Sequence, residues 1–121
     1  MIFPVNLVRI HECLCDRTRL RLVHLLLQGP LCVCHLQDVL GEPQAKISRH
    51  LAYLRRQQMV ETERRGKWVV YRLPAQRPPL LATNLACLQD CAAEEPVFRR
   101  DLQRLSKIRG VPRRRAAPAR P

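Results

Sequence analysis

QAKISRHLAYLRRQ, residues 44–57, carries its apolar side chains at Ile47, Leu51 and Leu54. At 3.6 residues per turn these three share one stripe, so the segment predicts an amphipathic helix with that stripe turned inward. Gln44, Lys46, Ser48, Arg49 and His50 are left on the outer side, near the helix start. Gln and Arg bond base edges in pairs, and Ser, Lys and His reach phosphates, so such a face suits the major groove of DNA. A merely solvated helix face is the competing reading of this segment taken alone.

The flanking segments set the helix in a recognisable order. Residues 3–14 predict a first helix with Val5, Leu7, Val8, Ile10 and Leu14 as its apolar positions. Asp16 is placed to cap a second helix through RTRLRLVHLLLQ, which carries Leu20, Val23, Leu26 and Leu27 and stops at Gly29 and Pro30. A short third helix spans about residues 32–40, with Val33, Leu36, Val39 and Leu40 inward, and Gly41, Glu42 and Pro43 turn the chain into the 44–57 helix. Short helix, glycine turn, polar-faced helix is the helix-turn-helix order.

Downstream, VETERRGKWVVYRL, residues 60–73, alternates charge with β-formers around Gly66 and predicts a β-hairpin with Arg64, Arg65 and Lys67 at its tip. There the cations would grip the sugar-phosphate backbone beside the reading helix. Val60, Trp68, Val70 and Leu73 cannot share one face under strict alternation, so the register stays open. After Pro74, Pro78 and Pro79 a further helix is expected over about 79–93, with Leu80, Leu81, Leu85 and Leu88. Pro96 opens a last helical stretch with Val97, Leu102 and Leu105. The fold class is mainly α with a small β-hairpin. Residues 1–107 form the winged helix-turn-helix domain, and 108–121 a basic Pro/Arg-rich tail with too little to bury to be ordered.

Composition agrees with a nucleic-acid partner. The chain has 22 Lys and Arg against 10 Asp and Glu, a formal charge of +12 on 121 residues, which suits a polyanion. No apolar run of about 18 residues is present, so no transmembrane helix is expected. The start MIFPVNLVRIHECLCD lacks the pattern of a secretory signal, and a cytoplasmic location is expected. In that reducing compartment the six cysteines point to metal or redox chemistry rather than structural disulfides. A small redox enzyme is the reading from another class. It is disfavoured, because no CxxC precedes a helix in a βαβ pattern and nothing resembles a phosphate loop or hydrolytic triad.

With these elements in place, residues 14–73 resemble the ArsR/SmtB family of bacterial metal-sensing winged-helix repressors. The resemblance rests on DRTRLRL at 16–22, LCVCHL at 31–36, KISRHLAYLR at 46–55 and RRGKWVVYRL at 64–73, in that order. It implies a homodimer paired through its first and last helices, bound to double-stranded operator DNA and released by a metal or metalloid. LCVCHL looks like the arsenite-sensing run of arsenic-resistance repressors, which makes Cys32 and Cys34 the core ligands of As(III) or Sb(III). That run usually carries a third cysteine, and here its position is Gln37. The pairs Cys13 with Cys15 and Cys87 with Cys91 could supplement or replace the core pair.

Helical geometry separates these pairs. Residues i and i+2 lie about 200° apart on a regular helix, so Cys32 and Cys34 would share an ion only if the helix distorted. That distortion would disturb the reading helix and loosen DNA. Cys87 and Cys91, four apart, share a face without distortion, although packing in a dimer core would also place them there. Cys13 and Cys15 sit at a helix end, where some cadmium and lead sensors of the family use N-terminal cysteines, and His11 could join them. A Cd(II)- or Pb(II)-responsive repressor, or one switched by thiol oxidation, is therefore the alternative of the same fold. The family's zinc sites use Asp and His on the last helix, and residues 79–107 contain no histidine.

Overall fold

The computed structural model describes residues 6–109, with the side chain of Arg109 left aside. The expectations for residues 3–5 and for the tail from 110 onward fall outside these residues. Nine elements follow in order. Helices α1 (Leu7–Leu14) and α2 (Arg17–Leu26) precede a two-residue strand β1 (Leu31–Cys32). Then come α3 (Val33–Leu40), α4 (Gln44–Arg56), the strands β2 (Glu61–Arg65) and β3 (Trp68–Arg72), and helices α5 (Pro79–Ala92) and α6 (Pro96–Arg109). The last helix runs two residues past the expected boundary at 107, so residues 108 and 109 belong to it rather than to the tail.

Local chemistry explains where the helices begin and end. Asn6 and Asp16 each accept a hydrogen bond from a first-turn amide, at 2.8 Å from Arg9 and 3.0 Å from Arg19, and so start α1 and α2. Helix α2 stops at Leu26, and a turn carries the chain to Gly29 at φ +130°. Gly41, at φ +69°, closes α3 by donating its amide to the Gln37 carbonyl at 2.8 Å. At the end of α4, Gln58 takes the left-handed conformation that glycine usually supplies, at φ +64°. Amides of Gln58 and Met59 return to the carbonyls of Arg55 and Leu54 at 3.0 and 2.9 Å, a Schellman closure.

One core joins the helices. Ile47, Leu51 and Leu54 of α4 are fully buried, among Leu22 and Leu25 of α2, Leu36 and Val39 of α3 and Leu81 and Leu85 of α5. Each such side chain contributes about 1.5–3 kcal/mol of burial, which seats α4 although no side chain caps it. In α1 the inward positions are Ile10 and Cys13, whereas Leu7 and Val8 stand 50% and 68% exposed. The apolar positions of that helix thus divide between the core and an open face.

The hairpin is present, and the structure settles its register. Arg65 pairs with Trp68 across Gly66 and Lys67, a two-residue turn with the glycine first and left-handed at φ +64°. Val60, Val70 and Leu73 are buried, whereas Trp68 is 38% exposed and leaves the set. A third strand, which sequence periodicity did not announce, completes the sheet in the order β1-β3-β2. Leu31 pairs with Tyr71 and Cys32 with Val70, both antiparallel.

Candidate metalloid site and DNA-reading face

The short strand changes the geometry of the cysteine pair. Cys32 is the N-cap of α3, with extended backbone at φ −88° and ψ +164°, and lies outside the helix. The opposition of about 200° expected for two helical positions therefore does not apply, and no unwinding of α3 is needed to bring both sulfurs to one point. The Sγ atoms of Cys32 and Cys34 and a ring nitrogen of His35 all lie within 4.8 Å of one another. Cys32 is buried, and Cys34 and His35 are half-buried. His35 was missed by the sequence reading, although it directly follows Cys34 in LCVCHL and an imidazole is a common metal ligand. Gln37, where the resemblance of LCVCHL implied a third cysteine, lines a cleft with Cys32 and Cys34.

That cleft, about 210 Å³, is bounded by Cys32, Val33, Cys34 and Gln37 of the β1–α3 junction, by Gln44 of α4, and by Trp68 and Val69 of β3. It touches both the first residue of the reading helix and the first residues of the returning wing strand.

The other cysteines differ in setting. None of the six cysteines is joined in a disulfide. Cys13 is fully buried in the core, and burial, only partly opposed by Arg19 and Arg9, pushes its thiol up to about 11. Cys15 is exposed and donates to the Glu12 carbonyl at 3.2 Å. Burial thus sets these two apart, and the buried member resists becoming a thiolate. Cys87 and Cys91 are both exposed, with their sulfurs 3.8 Å apart on one face of α5. His11 is exposed on α1.

On α4, Gln44 and Arg49 are exposed, and Lys46 and Ser48 are half-buried. Lys46 reaches back to Glu42 at 3.2 Å. His50 is turned toward α2, its Nε2 3.9 Å from Asp16 and its Nδ1 3.5 Å from Arg19. Burial holds its pKa below the usual imidazole value, with Asp16 pulling the other way and Arg19, Lys46 and Arg49 adding to the depression. It is thus less outward than the helical wheel implied. At the wing, Arg64, Arg65 and Lys67 are exposed, with Arg65 held by Glu63 at 3.2 Å. Arg72 is bound by Glu61 and Glu63 at 3.0 and 3.2 Å. Arg49, Arg55 and Arg56 of α4 and Arg64 and Lys67 of the wing are exposed cations that lie outside these carboxylate pairs.

A helix-turn-helix with its polar second helix outward and a basic hairpin beside it defines a winged helix-turn-helix regulator. Residues 16–62, from the α2 cap into β2, match the family described as bacterial regulatory protein, arsR family. The chain is 46% identical over 95 residues to the arsenical resistance operon repressor of Escherichia coli (strain K12), covering 78% of this chain and 79% of that protein. Among solved structures, the transcriptional repressor BigR from Xylella fastidiosa has a TM-score of 0.64 at 31% identity, covering 73% of this chain and 86% of that one. The antimony-specific transcriptional repressor AntR has a TM-score of 0.56 at 29% identity, covering 73% and 80%. The chain belongs to the arsR family of bacterial regulatory proteins. It is a transcriptional repressor of the ArsR type, not an enzyme. No helix among the described residues is long and apolar enough to cross a membrane.

Proposed function

We propose that this repressor controls an arsenic-resistance operon and leaves its operator when trivalent arsenic or antimony is bound by Cys32 and Cys34, with His35 as the nearest third donor. The observation that carries this reading is the mutual approach of the three donor atoms to within 4.8 Å. Soft thiolates select soft ions. A central atom about 2.3 Å from each sulfur needs the sulfurs roughly 3.4–3.8 Å apart, so capture draws in whichever donors stand near the 4.8 Å limit. The cleft also touches Gln44 and Trp68, so that contraction would pull on the reading helix and the wing together. The ion favours the contracted shape and DNA the open one. Reciprocal coupling of this kind typically amounts to 5–150-fold in affinity.

In this reading Gln44, Lys46, Ser48 and Arg49 meet bases and phosphates, His50 backs them, and Arg64, Arg65 and Lys67 hold the flanking backbone. The protein acts as a homodimer, so that two reading helices meet half-sites about one helical turn apart. The open Leu7 and Val8 face of α1 supports such pairing.

The test is fluorescence anisotropy on promoter DNA from upstream of the protein's own gene, with increasing arsenite. The wild type is expected to dissociate, whereas Cys32→Ser and Cys34→Ser proteins bind DNA and need at least tenfold more arsenite. Release of both variants at the wild-type concentration overturns the assignment. The imidazole favours one second reading, because a Cys2His set also suits Cd(II). A protein that releases DNA with cadmium but not arsenite, and loses this in His35→Gln, establishes that alternative.

A further inference from the structure

Helix α6 lies outside the helix-turn-helix, yet it packs on both α2 and α3. Asp101, Arg104, Leu105 and Ile108 stand at i, i+3, i+4 and i+7 and so share one of its faces. Leu105 is buried there, and Ile108 packs against the same core. The two polar members of the face end on different helices. Asp101, fully buried, accepts both hydrogen bonds of the Arg21 guanidinium from α2. One turn further on, Arg104 donates to the main-chain carbonyl of Val39, in the last turn of α3, at 3.0 Å.

The Val39 carbonyl is one of the four at a helix C-terminus that find no partner within the helix. Gly41 fills the Gln37 carbonyl of the same set from inside the turn. Val39 draws its partner from 65 residues away, and a guanidinium there also opposes the negative end of the α3 dipole. After Val39 come Leu40, Gly41, Glu42 and Pro43, and α4 begins at Gln44. The held carbonyl is therefore the root of the turn that aims the reading helix. The turn is also held electrostatically from α2. The hydrogen bond to Asp101 raises the Arg21 pKa against the effect of burial, and the charges of Asp101 and then of Glu42, in the turn, add to the rise.

We propose that α6 braces the helix-turn-helix for DNA reading and that Arg104 is its positioning residue, holding the end of α3 so that α4 leaves the turn at the angle the groove requires. In this role Arg104 touches neither base nor phosphate. It acts through Val39 and the turn, and its loss lets the turn relax among arrangements of which only some fit the groove. The role concerns the grip on DNA with no ion present, so it is independent of the inducer.

The test compares wild type, Arg104→Met and Arg104→Lys by fluorescence anisotropy, without added metal, on two duplexes. One is enriched by the wild-type protein from a random-sequence pool, and the other is a scrambled duplex of the same length. Urea unfolding sets the folded fraction on which each affinity is based, which removes any effect of stability alone. Arg104→Met keeps the apolar stem and loses the donor. It is expected to weaken binding to the enriched duplex about five- to tenfold, as one lost hydrogen bond would, and to leave the scrambled duplex unchanged. Arg104→Lys, which still donates, should recover most of that loss. A loss shared by both duplexes overturns the proposal, and a salt slope reduced by about 0.9 per lost contact would then mark Arg104 as a phosphate ligand. It is equally overturned by an Arg104→Met protein within about twofold of the wild type on the enriched duplex, or by an Arg104→Lys protein as weak as Arg104→Met.

Discussion

The Arg19 guanidinium lies over the ring of Tyr53, 4.3 Å from its centroid, so that a residue of α2 clasps the reading helix α4. The same group donates to the Cys13 and Glu12 carbonyls, both at 3.0 Å, and so closes the last turn of α1. One planar fork thereby joins the helix expected at a dimer seam to the helix expected on DNA. A lysine has the charge but neither the fork nor the flat stacking surface. Arg19→Lys is expected to lower operator affinity about fivefold and stability by about 1–2 kcal/mol. Anisotropy and urea unfolding check the two effects.

Arg21 and Asp101 join α2 to α6 through two hydrogen bonds, at 2.9 and 2.8 Å. Asp101 is fully buried and the Arg21 side chain keeps 13% exposure, so the two deletions are unequal. Arg21→Ala strands a carboxylate in the interior and should cost about 3–5 kcal/mol in urea unfolding. Asp101→Asn should cost less, because the remaining guanidinium reaches water.

Acid should destabilise the fold through two histidines. His24 is 3% exposed, with its ring 5.0 Å from that of Phe98. Burial lowers its pKa from 6.5 despite the opposing Asp101 charge, and His50 is lowered from the same value by burial. The unfolded chain therefore binds these protons more readily than the folded one. Stability from the neutral rings is fully present above the unfolded value and is lost as pH falls through the depressed folded values. Thermal melts from neutral pH to about pH 5 should show the decline, and His24→Leu should flatten it.

Gln58 sits where a glycine is favoured, at φ +64° and exposed. Gln58→Gly relieves a left-handed residue at a cost in unfolded-chain entropy, and the balance should stabilise by up to about 1 kcal/mol. Chemical denaturation measures it, and unchanged operator affinity would show that the gain is confined to the helix end.

Local patterns made most of the helices legible. Asp16, Gly41 and the Ile47, Leu51 and Leu54 stripe act through neighbours a few residues away, and the structure places each as its spacing implied. The strand at Leu31–Cys32 was not legible, because it exists only through pairing with residues 70 and 71, far along the chain. That single omission put Cys32 on a helix and made a compact donor group look attainable only if the helix distorted. His35 was within reach of the sequence, since it stands beside Cys34. The hairpin register around Trp68 and the inward turn of His50 were not legible for a different reason, because each depends on another element, the β2–β3 pairing in one case and Asp16 in the other.

Cys32 has two occupations at once, as a rung beside Val70 and as a thiol facing the cleft. Positions 34, 35 and 37 are not rungs of that ladder. Under the proposed function, a chain of this design can therefore drift in ion preference by exchanging those later residues while its wing stays in place. Exchange at 32 would retune the receptor and tilt the wing in a single step.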